Sequence, residues 1–384
     1  MLDHAIKAAL HDVIGRLRAL ELGDAFEPRA AAAIVEAGLH RLCVPASAGG
    51  LGASIGEAGE VLAALGAIDG STALGFAMQV HTTGALREAP DESVPGAIRE
   101  RVWATIVEHG GLFNNAATEE GGGSPARGAI PGTVALPPEH AADADAAVPW
   151  RLTGEKTWTT WLPALTHAFV TARIGDHEPA EIGIFLVDLD AAGAERRAGF
   201  EALGMRGSAS GRLVLEDAPG ELVLRRSAAA PDPRGLVPTT WFGLAVAAVY
   251  LGVGEGARDA VARWALDRRP GDGSTAVANI PSVQLRLGRL DARLRAARIV
   301  LLDVARRWDE DRDASDVALA KLMATTAAVD ATDEALRIAG GPGFLSGSLE
   351  RAFRDARAGL INPPLEDVAL AGFTRSLLGR VTAR

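Results

Sequence analysis

The stretch RDARAGLINPPLED, residues 354 to 367, puts an Arg-Asp step, two prolines and two acids within fourteen positions. Glu366 has the chemistry of a general base. It equally suits the first turn of a helix that Asn362 caps and Pro363 opens, where the dipole favours acids such as Glu366 and Asp367. The loop AATEEGGGSPARG, 116–128, offers the hydroxyls of Thr118 and Ser124 and three consecutive glycines. It can turn backbone N–H groups toward a phosphate or a flavin edge, or it is a flexible glycine loop. In GEKTWTTW, 154–161, strand alternation places Trp158 and Thr160 on one side. An indole beside a hydroxyl can hold a flat heterocycle, or the Trp is a core residue.

Other candidates have similar double readings. Gly340 in RIAGGPGF suits a left-handed helix C-cap, or a ligand approaching bare backbone. Arg268 and Arg269 close a helix as dipole partners or as an anion clamp. GVGEGA, 252–257, fits GxGxxA, but it lies inside one continuous helical pattern with no following β–α alternation. It is read as helix. Cys43 stands alone, which excludes an intramolecular disulfide and a thiolate cluster, and it reads as a small buried hydrophobe. No HExxH pair for zinc is present.

The elements that must position these residues fall into three textures. The chain has 384 residues, 48% hydrophobic, with net charge -10. That length predicts two or three domains, and the charge gives no basic face for nucleic acid. The longest apolar run, 241–254, is shorter than the ~20 residues of a membrane helix. A soluble cytoplasmic protein without membrane attachment is expected. Residues 1–112 read as helical, 113–225 as a small, mostly antiparallel β domain, and 226–384 as a helical bundle. Expected bundle helices are 238–267, 281–309, 314–340 and 364–380. Residues 129–150 read as a long surface loop or irregular hairpin.

In this order the motifs resemble the acyl-CoA dehydrogenase family of flavoproteins, over nearly the whole chain. LCVPASAGGLGAS is similar to that family's VPxxxGGxG segment, and ATEEGGGS to its TEPxxGS loop, with Glu120 where proline is usual. GEKTWTT is similar to GxKxWIT, LGMRGSASGRLVLED to GxRxSxxxxxxFxD, and RIAGGPGF with ERAFRDAR to GGxGF…RD. The resemblance implies an α+β multi-domain fold: an N-terminal helical domain, a central β domain and a C-terminal four-helix bundle. It implies FAD, a homodimer or homotetramer, a small-molecule substrate such as an acyl-CoA, and an electron-transfer flavoprotein or a flavin reductase as redox partner. It assigns Thr118, Trp158 and Thr160 to the isoalloxazine and Ser124 to the pyrophosphate. Arg268, Gly340 and Gly341 would reach the FAD of a neighbouring subunit, and Arg337 stands where a glutamine is frequent.

The sequence departs from the family at the base. Eight residues past Asp355 stands Pro363, and the second family position for a base corresponds to Phe242. Glu366 remains the candidate for a displaced catalytic base. The favoured expectation is α,β-dehydrogenation of an acyl-CoA thioester with hydride transfer to flavin. The alternative is a monooxygenase of the same fold using reduced flavin and oxygen, and a third reading is a catalytically silent flavin- or acyl-binding protein.

Overall fold

The computed structural model describes residues 2–121, 129–138, 149–176, 178–199, 201–271 and 273–382. Helices α1 (His4–Arg18), α2 (Pro28–Glu36), α3 (Ile55–Gly66), α4 (Gly70–Glu88) and α5 (Gly96–His109) come first. Strands β1 (Phe113–Ala116), β2 (Val134–Leu136), β3 (Trp150–Thr159), β4 (His167–Ile174), β5 (Glu181–Asp188), β6 (Ala194–Arg197) and β7 (Gly211–Ser227) follow. The chain ends in α6 (Val237–Asp267), α7 (Pro281–Asp311), α8 (Val317–Ala339), the single turn α9 (Gly341–Phe344), α10 (Ser348–Ile361) and α11 (Glu366–Thr382). This is the expected α, β, bundle architecture.

The strands close on themselves. β4 pairs with β5 and β2, β2 with β3, β3 with β7, and β7 with β5, while β1 and β6 attach to β4 and β7. Most pairings are antiparallel as expected, but β1 and β2 both run parallel to β4. β2 lies in the segment read as loop or hairpin. Its VAL is too short to show a period, and only pairing with β3 and β4 makes it a strand.

One bundle expectation needs correction. α6, α7 and α8 match their expected spans, but the fourth member is α10, absent from the expected helices. α10 packs against α6 and α8, whereas α11 lies against α8. Apolar residues Leu349, Ala352, Phe353, Ala356 and Leu360 recur at helical spacing through the charged run ERAFRDAR, so α10 is amphipathic. It buries only Asp355, Ala356 and Gly359.

The glycines of GVGEGA explain the α3–α6 crossing. A Cβ on Gly252 would sit 2.2 Å from the Ala63 carbonyl oxygen, and one on Gly256 would sit 2.5 Å from that of Ala67. The glycines therefore permit close backbone approach of two helices. α6 is long and apolar enough to cross a membrane, yet 78% of its apolar window is buried within the protein. In the N-terminal motif, Ser54 and Glu57 form a reciprocal capping box that starts α3. Cys43 is buried as expected, and burial pushes its thiol up to about 12.

Candidate functional site

The two proposed flavin motifs meet at the ends of β1 and β3. The Thr157 N–H donates to the Thr118 carbonyl at 2.9 Å, and Asn114 Nδ2 donates to the Thr160 carbonyl at 3.0 Å. Beneath them, Lys156 of the GEK motif is fully buried and paired with Glu119 of the TEE motif. Glu119 also accepts from Thr133 Oγ1 at 2.7 Å and from the Thr133 N–H at 3.0 Å. Burial opposes the Glu119 charge, but Lys156 and Thr133 outweigh it and hold the carboxyl below its usual range. The motif lysine is thus the strut that fixes the loop carrying Thr118. Glu120, in the usual proline position, is solvent-facing and lies 3.4 Å from Arg212.

β3 loses its alternation just where the motif becomes aromatic. Trp158 has φ 57 and the β3–β7 register shifts between Lys156 and Thr159. The expected regular spacing of Trp158 and Thr160 along one strand face is therefore not what positions them. The break leaves the Trp158 indole 51% exposed while Thr159, Thr160 and Trp161 are buried. Thr160 Oγ1 lies 3.0 Å from Ser210 Oγ, which lies 3.1 Å from Ser208 Oγ, forming a chain of hydroxyls. Thr159 Oγ1 is buried without a hydrogen-bond partner among the described residues. An exposed indole, a buried hydroxyl row and a hydroxyl without a hydrogen-bond partner among the described residues make a donor set that fits a flat heteroaromatic ring with polar edges. Ser124 lies outside the described residues.

Arg268, Gly340 and Gly341 are not part of this cluster. Arg268 is exposed at the end of α6, and Gly340 and Gly341 are exposed at the matching end of α8, where Ala257 and Val261 pack against Ala335 and Ile338. The loop after β6 reaches α6 at Val253, where it and Met205 both lie against Gly70. Arg268 is fifteen residues further, about 22 Å along the helix at 1.5 Å per residue. Gly340 has the positive φ expected of a glycine cap, but its ψ of -140 is not left-handed helical.

At the position of the missing base, Asn362 Nδ2 donates to the Tyr250 hydroxyl at 2.7 Å. Asn362 closes α10 and does not cap α11, contrary to expectation; α11 begins three residues beyond Pro363. The second helix reading holds: Glu366 and Asp367 occupy the first turn of α11. Glu366 is exposed, on an open groove with Leu360, Ile361 and Leu370. Its charge acts on Lys321, a buried side chain that donates to the Gly359 carbonyl at 2.7 Å. Burial lowers the Lys321 ammonium to about 8, and Glu366 works against that shift.

His81 on α4 escaped the sequence reading. α4 forms a wall between the two halves: Trp161 lies against its Gly75, and Trp241 of α6 against its Gly84. The His81 ring meets Phe242 edge to face, with centroids 5.2 Å apart. Its Nδ1 is buried without a hydrogen-bond partner among the described residues, as is the hydroxyl of the adjacent Thr82. Burial, aided by Arg234, pushes the imidazole down to about 3, so it is neutral at physiological pH. A lone histidine within an apolar helix has no spacing signature. Only its neighbours distinguish it.

Comparison with known proteins places the chain in a family. Models of the acyl-CoA dehydrogenase middle domain and C-terminal domain match residues 114–218 and 240–362. The chain is 34% identical over 345 residues to a putative acyl-CoA dehydrogenase, YdbM, of Bacillus subtilis, covering 87% of this chain and 85% of that protein. It is 28% identical over 230 residues to the amino sugar nitrososynthase RubN8 of Streptomyces rubradiris, covering 56% and 53%. The structure of KijD3 in complex with FMN and dTDP-3-amino-2,3,6-trideoxy-4-keto-3-methyl-D-glucose superposes with a TM-score of 0.83 at 25% identity, covering 99% of this chain and 95% of that one.

Proposed function

The chain belongs to the acyl-CoA dehydrogenase family, and from that premise we propose that it is a flavin-dependent monooxygenase that uses reduced flavin and dioxygen. The observation carrying this reading is the absence of a carboxylate at both positions that the family resemblance gives to the base. One holds Pro363, next to Asn362, whose amide is committed to Tyr250. The other holds Phe242, packed on His81. Removing a proton α to a thioester needs a positioned base, and neither place supplies one. A bound reduced flavin supplies two electrons with which dioxygen is activated, and that chemistry does not call for the family's glutamate.

In this reading, Trp158 packs on the flavin, and Thr118 and Thr160 hydrogen-bond its edge. Ser208 and Ser210 hold the Thr160 hydroxyl in place. His81 and Thr82 offer one neutral imidazole nitrogen and one hydroxyl to a polar group of the substrate. A flavin reductase is the fitting redox partner. The nitrososynthase and KijD3 relatives support the reading, because the FMN in the KijD3 complex accompanies an amino sugar rather than a thioester. Thr160→Val, which keeps the shape and removes the hydroxyl, is expected to weaken flavin binding about tenfold in a fluorescence titration. Unchanged affinity would take Thr160 out of the site.

A second reading keeps dehydrogenation with Glu366 as a displaced base, favoured by its place on a largely apolar groove and by the action of its charge on the Lys321 ammonium. Anaerobic mixing of the flavin-loaded protein with butyryl-, octanoyl- and palmitoyl-CoA separates the two. Monooxygenase chemistry predicts that the flavin stays oxidised, and that Glu366→Gln consumes oxygen with reduced flavin as the parent does. Bleaching by an acyl-CoA that disappears in Glu366→Gln would establish the second reading instead.

A further inference from the structure

A cavity of about 340 Å³ lies between the end of α1, the α3–α4 turn, α6 and α10. It shares no lining residue with Thr118, Trp158 or Thr160. We propose that it is a binding site for a small organic monocarboxylate that carries a hydroxyl or amino group next to its carboxylate and a short apolar tail.

Asp69 and Arg351 form the floor. Asp69 is 5% exposed. Its Oδ2 accepts the Thr72 N–H at 2.8 Å and so caps α4, but its Oδ1 has no hydrogen-bond partner among the described residues. Arg351 Nη2 stands 3.4 Å from that oxygen, and Arg351 Nη1 is buried and also without a hydrogen bond among the described residues. Asp69 and Arg351 are thus ion-paired on a cavity wall, yet Asp69 Oδ1 and Arg351 Nη1 each lack a hydrogen bond among the described residues, an arrangement that native proteins otherwise avoid. A ligand satisfies both if it has an acceptor and a donor on adjacent atoms. An α-hydroxy or α-amino carboxylate has that pattern: its carboxylate meets Arg351 and its O–H or N–H meets Asp69.

The remaining walls set charge and shape. Arg18 and Arg263 line the cavity, are exposed and form no ion pair among the described residues. Together with Arg351 they give three guanidinium groups against the two carboxylates of Asp69 and Asp355. That balance attracts one negative charge, while the two acids repel a dianion such as phosphate. Leu20, Val253 and Ala257 supply an apolar side suited to a branched aliphatic tail. Asp355 connects this cavity with the flavin edge, since its carboxylate accepts the Met205 N–H at 2.5 Å at the start of the loop bearing Ser208 and Ser210.

Isothermal titration of the full chain with 2-hydroxy-4-methylpentanoate, leucine, 4-methylpentanoate and inorganic phosphate tests the assignment. At least one of the first two should bind about tenfold more tightly than 4-methylpentanoate, which has the same skeleton and no α donor. Which of the two binds better distinguishes a hydroxyl from an amino ligand. Arg263→Gln and Arg18→Gln, at the exposed mouth, should each weaken that binding several-fold with unchanged circular dichroism and flavin absorbance. Absence of heat with all four, equal affinity for 4-methylpentanoate, or tightest binding of phosphate overturns the proposal. Because the readout is binding with and without flavin, failure of the monooxygenase reading does not alter these outcomes.

Discussion

Glu88→Ala should destabilise the protein by about 3–5 kcal/mol, the loss typical of removing one partner from a buried charged network. The Glu88 side chain is 8% exposed at the end of α4. Its Oε2 accepts from Trp241 Nε1 at 2.9 Å, Trp308 Nε1 at 2.9 Å and Arg312 Nη1 at 2.7 Å. Its Oε1 accepts from Arg87 Nη2 at 3.2 Å. One carboxylate thus joins α4, α6 and α7. Burial opposes its charge, but the two indoles and Arg312 prevail and hold it below the usual carboxylate range. Alanine leaves two indole N–H groups and a guanidinium without their acceptor. Glu88→Gln, which retains an oxygen in place, should fall between alanine and the parent. Urea unfolding followed by tryptophan fluorescence reads both variants, because Trp241 and Trp308 are the reporters at the site. A loss below about 1 kcal/mol in Glu88→Ala would mean that water replaces the carboxylate and that the hub carries little stability.

Asp355→Asn should stabilise the protein at neutral pH, by an amount that grows from about zero near pH 4 to about 3 kcal/mol above pH 6. Burial raises this carboxyl from 3.8 to about 6 in the folded protein, despite the Met205 N–H and the opposing Arg351 and Arg354. The sign follows from linkage. Below pH 4 the group is protonated in folded and unfolded chains alike and contributes no difference. Between the two values the unfolded chain releases the proton first, so parental stability falls as pH rises. Above pH 6 the full cost of a buried charge is present. Asparagine keeps an oxygen for the Met205 N–H and never carries that charge. The measurement is the difference in unfolding free energy between variant and parent across pH 4 to 8. A difference independent of pH would show that Asp355 ionises normally within the fold.

Much of the fold was legible in the residues. Apolar spacing gave α6, α7 and α8 nearly to the residue, and the bounded β-branched runs gave β4, β5 and β7. The expected helices overlook the helical spacing of α10 among its charges, and β2 has no period of its own. The glycine and TW motifs pointed to Thr118, Trp158 and Thr160, and the structure brings these together through Thr157 and Asn114. The role of Lys156 was invisible, because its partner Glu119 is 37 residues away.

The order of motifs was sufficient for the family, and the absence of an acid at 242 and 363 was plain from residue identity alone. Local order, composition and periodicity are properties of neighbours in the chain, so the chain displays them directly. Which way Glu366 faces, that Asn362 belongs to Tyr250, that His81 lies neutral against Phe242, and that Asp69 and Arg351 share a cavity are settled only in three dimensions. Each depends on burial and on partners far apart in sequence, and it is burial that converts an ordinary side chain into a shifted acid, a silent base or an unfilled hydrogen bond.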